Sequence, residues 1–96
     1  THLVAMHEID SVVAQGNYIE VHSGGNSYTV RQSLASFESE LDPELFKRLH
    51  RSLVVRIGAI REIQSVGSGS FRLEMRGGRC FHTGRSYAEQ VRKLMR

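Results

Sequence analysis

Phe71, Leu73 and Met75 alternate with Arg72, Glu74 and Arg76, and glycines close the run at both ends: Gly67-Ser68-Gly69 before it and Gly77-Gly78 after it. Side chains two apart share one face of a strand, so this run must be a strand with one dry face and one wet face. Glycine turns at either end send the chain back and make its neighbours pair antiparallel. The same grammar recurs along the chain. Ser11-Val12-Val13-Ala14 reads as a strand that Gln15-Gly16-Asn17 interrupts. Tyr18 to His22 alternates, Gly24-Gly25-Asn26 turns, and Tyr28 to Arg31 returns. Leu3 to Met6 is expected as a further short strand. Phe46 to Val55 reads as extended chain broken at His50-Arg51-Ser52. Leu53-Val54-Val55 is apolar without alternation, which fits burial on both faces. Arg56 to Ala59 reads as a turn, Ile60 to Val66 as a strand, and Arg79 to Thr83 as the strand returning from Gly77-Gly78.

Two segments change period. Leu34, Phe37 and Leu41 recur at helical spacing, with Ser33 placed to cap the helix and Pro43 to stop it. Near the end, Ser86-Tyr87-Ala88-Glu89 has the form of a capping box, which predicts Ser86 as N-cap and Glu89 as its reciprocal partner. Tyr87, Val91, Leu94 and Met95 are then expected on one face. The sum is a mainly β domain with one or two short helices. At 96 residues one domain spanning 1–96 is expected. No apolar run reaches the roughly 18 residues of a membrane span. The start at Thr1 has neither Met nor a leader pattern, which suggests the C-terminal piece of a longer protein.

Charge is unevenly distributed. Residues 1–46 carry seven acids and one base, whereas residues 47–96 carry twelve bases and three acids. That layout suits either a surface that meets phosphate on one side or two halves that neutralise each other in the fold. The one cysteine, Cys80, excludes an internal disulfide, fits a reducing cytoplasm, and reads as a half-buried strand residue ahead of a redox switch.

Catalysis finds little support. The five histidines form no zinc spacing, Cys80 and His82 are too few for a metal site, and no nucleophile–base pair is legible. No cofactor or metal is expected. Nucleic acid is better supported. Lys47-Arg48-Leu49-His50-Arg51-Ser52 offers Arg51 for a base edge, and Lys47, His50 and Ser52 for phosphate. Arg85, just before the last helix, and Asn17-Tyr18, in a glycine-led loop, are further candidates. Against them stand plainer readings: Asn17 could fill a left-handed turn position, and Arg51 and Arg85 could pair with surface acids. An RNA- or protein-interaction module on the same basic face is the alternative function. RNA stacking would draw on Tyr18, Tyr28, Phe71 and Phe81.

Four blocks in order resemble a known family: Gly16-Asn17-Tyr18-Ile19-Glu20-Val21-His22, Tyr28-Thr29-Val30-Arg31-Gln32-Ser33-Leu34, Phe46 to Val55, and Arg85-Ser86-Tyr87. Together they look like the LytTR DNA-binding domain, the output domain of LytR/AlgR-type bacterial response regulators. The resemblance implies an elongated β-β-β fold of about ten short strands. It also implies sequence-specific binding of duplex promoter DNA in the cytoplasm, with loops entering successive major grooves at direct repeats. A homodimer on those repeats and contact with RNA polymerase would fit. Carried over, Asn17 or Tyr18, Arg51 and Arg85 are the base readers. Two positions depart from the family pattern. Arg56 stands where Asn is usual, and Gly84 stands where Ser often precedes the arginine, which is expected to loosen that loop.

Overall fold

The protein was analysed as a computed structural model that describes residues 5–96. Among these residues, eight strands form two antiparallel sheets. The first sheet holds β1 (Ile9–Gln15), β2 (Tyr18–Ser23), β3 (Asn26–Val30), β4 (Phe46–His50) and β5 (Leu53–Arg56), in the order β3-β2-β1-β5-β4. The second is a meander of β6 (Ile60–Gly67), β7 (Ser70–Met75) and β8 (Cys80–His82). Two short helices, α1 (Leu34–Glu38) and α2 (Ala88–Leu94), complete the chain, which measures 41 × 24 × 21 Å.

Within the five-stranded sheet β5 is dry on both faces, as Leu53-Val54-Val55 required. Val54 joins Val12, Ile19, Val21, Phe46, Leu34 and Leu41 under α1. Leu53 and Val55 point the other way, into a core shared with Phe71, Leu73, Met75 and Val91 from the second sheet and α2. A bulge between Ile9 and Ser11 changes the parity of β1. It lets Ile9 and Val12 face the same core while Ser11 turns to the opposite side.

The alternation in residues 71–76 appears as a strand buried at every second residue. Its entry turn has positive φ at both central residues, Ser68 (56°) and Gly69 (79°), the geometry that matches strand twist. Four expectations need correction. Leu3 and Val4 lie outside the described residues, and Met6 opens a 3-10 turn, so among the described residues the first strand begins at Ile9. The Ser86–Glu89 box is not formed. The chain already winds as a 3-10 turn over Arg85–Tyr87, and the amides of Tyr87 and Ala88 bond to the carbonyls of Gly84 and Arg85. Glu89 faces Arg92 and Arg96 instead. Val91 and half-buried Leu94 face the core as expected, with Ala88 added to that face, whereas Met95, beyond the last residue of α2, is exposed. Cys80 is exposed on β8, with its sulfur 2.9 Å from a nitrogen of Arg72.

A polar chain links the sheets. His22 on β2 donates from Nε2 to Glu20 (2.5 Å), and its Nδ1 accepts from the Ser11 hydroxyl (2.8 Å). Its ring stacks on Phe81 of β8 at 6.3 Å. The hydrogen bond from His22 holds the Glu20 carboxyl below its ordinary value. A carboxyl held low stabilises the fold above its unfolded pKa and loses that contribution as pH falls through the lowered folded value. Glu20→Gln is therefore expected to flatten the acid limb of stability. Thermal midpoints measured from about pH 6 to about pH 3 would check this; parallel limbs in variant and native protein would contradict it.

Candidate nucleic-acid interface

Antiparallel pairing decides which residues meet at each end of the five-stranded sheet. β3, β1 and β4 finish at the end where β2 and β5 begin. That end therefore carries the Gly16-Asn17 turn between β1 and β2, the Arg51-Ser52 turn between β4 and β5, and Arg31 just beyond β3. The Ala14 amide bonds to the Ser52 carbonyl (2.9 Å), tying the two turns side by side. With strands about 4.8 Å apart, the turns are separated by roughly two strand spacings, about 10 Å.

The Arg85 loop reaches the same end from the other sheet. Buried Thr83 is anchored on β7: its Oγ1 accepts from the Phe71 amide (3.1 Å) and its own amide bonds to the Phe71 carbonyl (2.9 Å). The next amide, Gly84, crosses to the Leu49 carbonyl on β4 (2.9 Å). Gly84 thus sits in a backbone held at both sheets, not in a loosened one. A Cβ there would lie 3.2 Å from the Tyr87 ring and 3.5 Å from His50, so the missing side chain permits a close approach.

The sequence candidates take distinct places. Asn17 and Arg51 are exposed at the turns, Tyr18 is half exposed at the start of β2, and Arg85 is exposed on its loop. Gly16 takes the left-handed position of the first turn (φ 59°), so Asn17 does not fill it. His50 and Ser52 are occupied in closing their own turn. The Ser52 amide (3.1 Å) and hydroxyl (2.9 Å) both reach His50 Nδ1, which leaves Nε2 as the ring's N–H donor. Lys47 is not brought to this end; it lies half-buried three residues back along β4, about 10 Å away.

Electrostatics single out the same end. Among the described residues, Arg48, Arg56, Arg61, Arg72, Arg92 and Arg96 face carboxylates, and Arg76 and Arg79 bond to Gly58 and Ser27. Arg31, Lys47, Arg51, Arg85 and Lys93 have no such partner among them. Three of these five, Arg31, Arg51 and Arg85, stand at the turn-bearing end. Arg31 was missed as a site residue, although its block was singled out. With Gly16, Asn17, Gln32 and Ser33 it lines a shallow hollow beside the first turn. The β2–β3 hairpin read from the sequence brings Arg31 beside Tyr18, and the β1–β5 pairing, which the sequence does not display, adds the Arg51 turn to the same end. The aromatic residues offered for stacking single strands are placed differently: Phe71 is buried in the inter-sheet core and Phe81 is packed on His22.

Comparison with known proteins places the fold in a DNA-binding family. The family model of the LytTr DNA-binding domain matches residues 1–96. The chain is 33% identical to the sensory transduction protein LytT of Bacillus subtilis (strain 168) over 84% of its own length and 34% of that protein's. It is 28% identical to the sensory transduction protein LytR of Streptococcus mutans, covering 93% of this chain and 36% of that one. The chain thus spans about a third of the length of these curated relatives. A solved LytTr DNA-binding domain from Bacillus cereus superposes with a TM-score of 0.88 at 29% identity, covering 96% of this chain and 84% of that one.

The double anchoring of the Arg85 loop can be tested without a ligand. Thr83→Val keeps the shape but strands the Phe71 amide, and is expected to destabilise the protein by about 1–3 kcal/mol. Denaturant midpoints measure this; an unchanged midpoint would mean the Thr83 hydroxyl anchors nothing.

Proposed function

The chain belongs to the LytTR DNA-binding domain family, and on that premise we propose that it reads promoter duplexes with the loops at one end of its five-stranded sheet. Arg51 takes the base edge that best matches its fork, the O6 and N7 acceptors of a guanine. Arg85 and Asn17 read on either side of it. Arg31 and Lys47 meet phosphate, and His50 offers its Nε2–H to a phosphate oxygen. Loops reaching successive major grooves suit direct repeats occupied by two copies, with the whole protein acting as a response regulator that reaches RNA polymerase.

One observation carries this reading: exposed arginines without partners among the described residues gather at the end where three loops converge. An arginine that served only the fold would be expected to face a carboxylate or carbonyl, as Arg48 and Arg56 do. Of the aromatic residues that could stack bases, Phe71 is buried and Phe81 is packed on His22, leaving exposed Tyr18 without the sheet of aromatics a single-strand reader would use, which favours a duplex.

Duplexes selected from a random pool by this protein provide the probe. Arg51→Ala is expected to lower affinity by about 1–3 kcal/mol and to flatten preference at one base position. Arg31→Gln should weaken all duplexes alike and reduce the salt slope of log affinity by about one. Unchanged affinity and preference in both Arg51→Ala and Arg85→Ala, at fixed salt, would refute the site. Preferential competition by single-stranded RNA would move the function to RNA.

A further inference from the structure

Arg48 is the one arginine of the Lys47–Ser52 block whose guanidinium is turned inward. Nε donates to the His50 carbonyl (3.0 Å), Nη1 to Glu38 Oε1 at the end of α1 (2.8 Å), and Nη2 to the Arg51 carbonyl. All three nitrogens are therefore engaged, and only 24% of the side chain is exposed, which leaves little of the fork for a phosphate. Two of its partners are carbonyls of the turn that presents Arg51.

We propose that Arg48 is a positioning residue for base reading, and that Glu38, on a helix away from the loops, sets its orientation. The inference rests on the reading of Arg51 given above. Fixing the carbonyls of residues 50 and 51 fixes the peptide planes on both sides of the Arg51 Cα, and hence the direction in which that side chain leaves the backbone. The Ser52 amide and hydroxyl close the turn on His50 Nδ1, and Arg48 adds the hold on the carbonyls that flank the Arg51 Cα. Bracing it before binding removes an ordering cost that would otherwise fall on the complex, and it narrows the set of base edges the fork can reach. The brace needs a planar group with several donors in fixed directions. Lysine carries the same charge on a single rotating head and cannot hold the helix carboxylate and both carbonyls at once.

That difference separates a brace from a phosphate contact. Arg48→Lys and Glu38→Ala would be compared with native protein and with Arg51→Ala, by amide hydrogen exchange of residues 50–52 and by selection from random duplexes. A brace predicts faster exchange at Arg51 and Ser52 in both variants, with the thermal midpoint little changed. It also predicts base preference weakened by about five- to ten-fold at the position that Arg51→Ala flattens. The salt slope should remain that of the native protein, since Lys keeps the charge. A phosphate contact predicts instead that Arg48→Lys keeps both affinity and preference. Simple surface electrostatics predicts that Glu38→Ala tightens every duplex. Either result, or preference lost at some other position, would overturn the proposal. Faster exchange with no flattening, even in Arg51→Ala, would leave the brace standing as structure and refute the reading of Arg51 itself.

Discussion

Val54 and Val55 are adjacent, point to opposite sides, and are both fully buried. A strand dry on both faces must be covered twice, so β5 obliges the chain to supply α1 on one side and a second sheet with α2 on the other. It also has to be paired along both edges, by β1 and by β4. Register then has no slack. A slip of one residue would exchange the two valines between cores and turn Lys47 or Arg48 to the wrong face. With register fixed, Val13 stands opposite Leu53 and Ser52 meets Ala14, so the first and second turns must lie side by side. The arrangement of the candidate surface thus follows from packing deep in the core.

The asymmetry of charge resolves in an instructive way. Both readings offered by the sequence are realised, on different residues. Glu38 and Asp10 from the acidic half pair with Arg48 and Arg56 from the basic half, which is mutual neutralisation within the fold. Arg51 and Arg85, from the same basic half, stand without such partners among the described residues. Neighbours in sequence therefore differ in use: Arg48 faces inward across the edge strand, whereas Arg51 sits at the tip of the turn, beyond the last strand pair. Charge counting cannot make that distinction, because it depends on which side of a bulged strand each residue faces. Alternation along β4 puts Arg48 on the α1 side with Phe46, while buried Leu49 faces the inter-sheet core.

Period-2 patterning and glycine turns made the strands legible, with boundaries within a residue or two for Tyr18–His22 and Ile60–Val66. Ser33 caps α1 as its residue type implies, accepting from the Ser36 amide. The last helix was legible as a helix but not at its start, because a 3-10 turn satisfies the amides that a serine cap would have served. The exposure of Cys80 was not legible either, since β8 pairs with β7 on one side only and sits at the sheet's edge. In the candidate site, Asn17, Arg51 and Arg85 stand out as polar residues in glycine-marked or broken stretches. Arg31 and Arg48 did not, for a common reason. Their significance depends on long-range contacts, the β1–β5 pairing that sets the Arg31 end beside the Arg51 turn for one and an ion pair to α1 for the other.

Turns are poor places to hold a long side chain, because they expose backbone to water and gain little from packing. This molecule offsets that in three ways. The first turn is closed by glycine in a left-handed conformation and bound edge to edge to the second. The second is locked from within by Ser52 and His50 and from beneath by Arg48. The third leaves buried Thr83 on one sheet and reaches the other at Gly84, where the lack of a side chain lets Tyr87 and His50 close in. Arg51 and Arg85 are thus backed by buried or half-buried polar residues that never have to leave the protein. A helix laid in a groove gets its rigidity from its own hydrogen bonds; loops must take theirs from the scaffold. That requirement accounts for the investment of Arg48, Ser52, His50 and Thr83, all polar and none fully exposed, around so small a set of surface side chains.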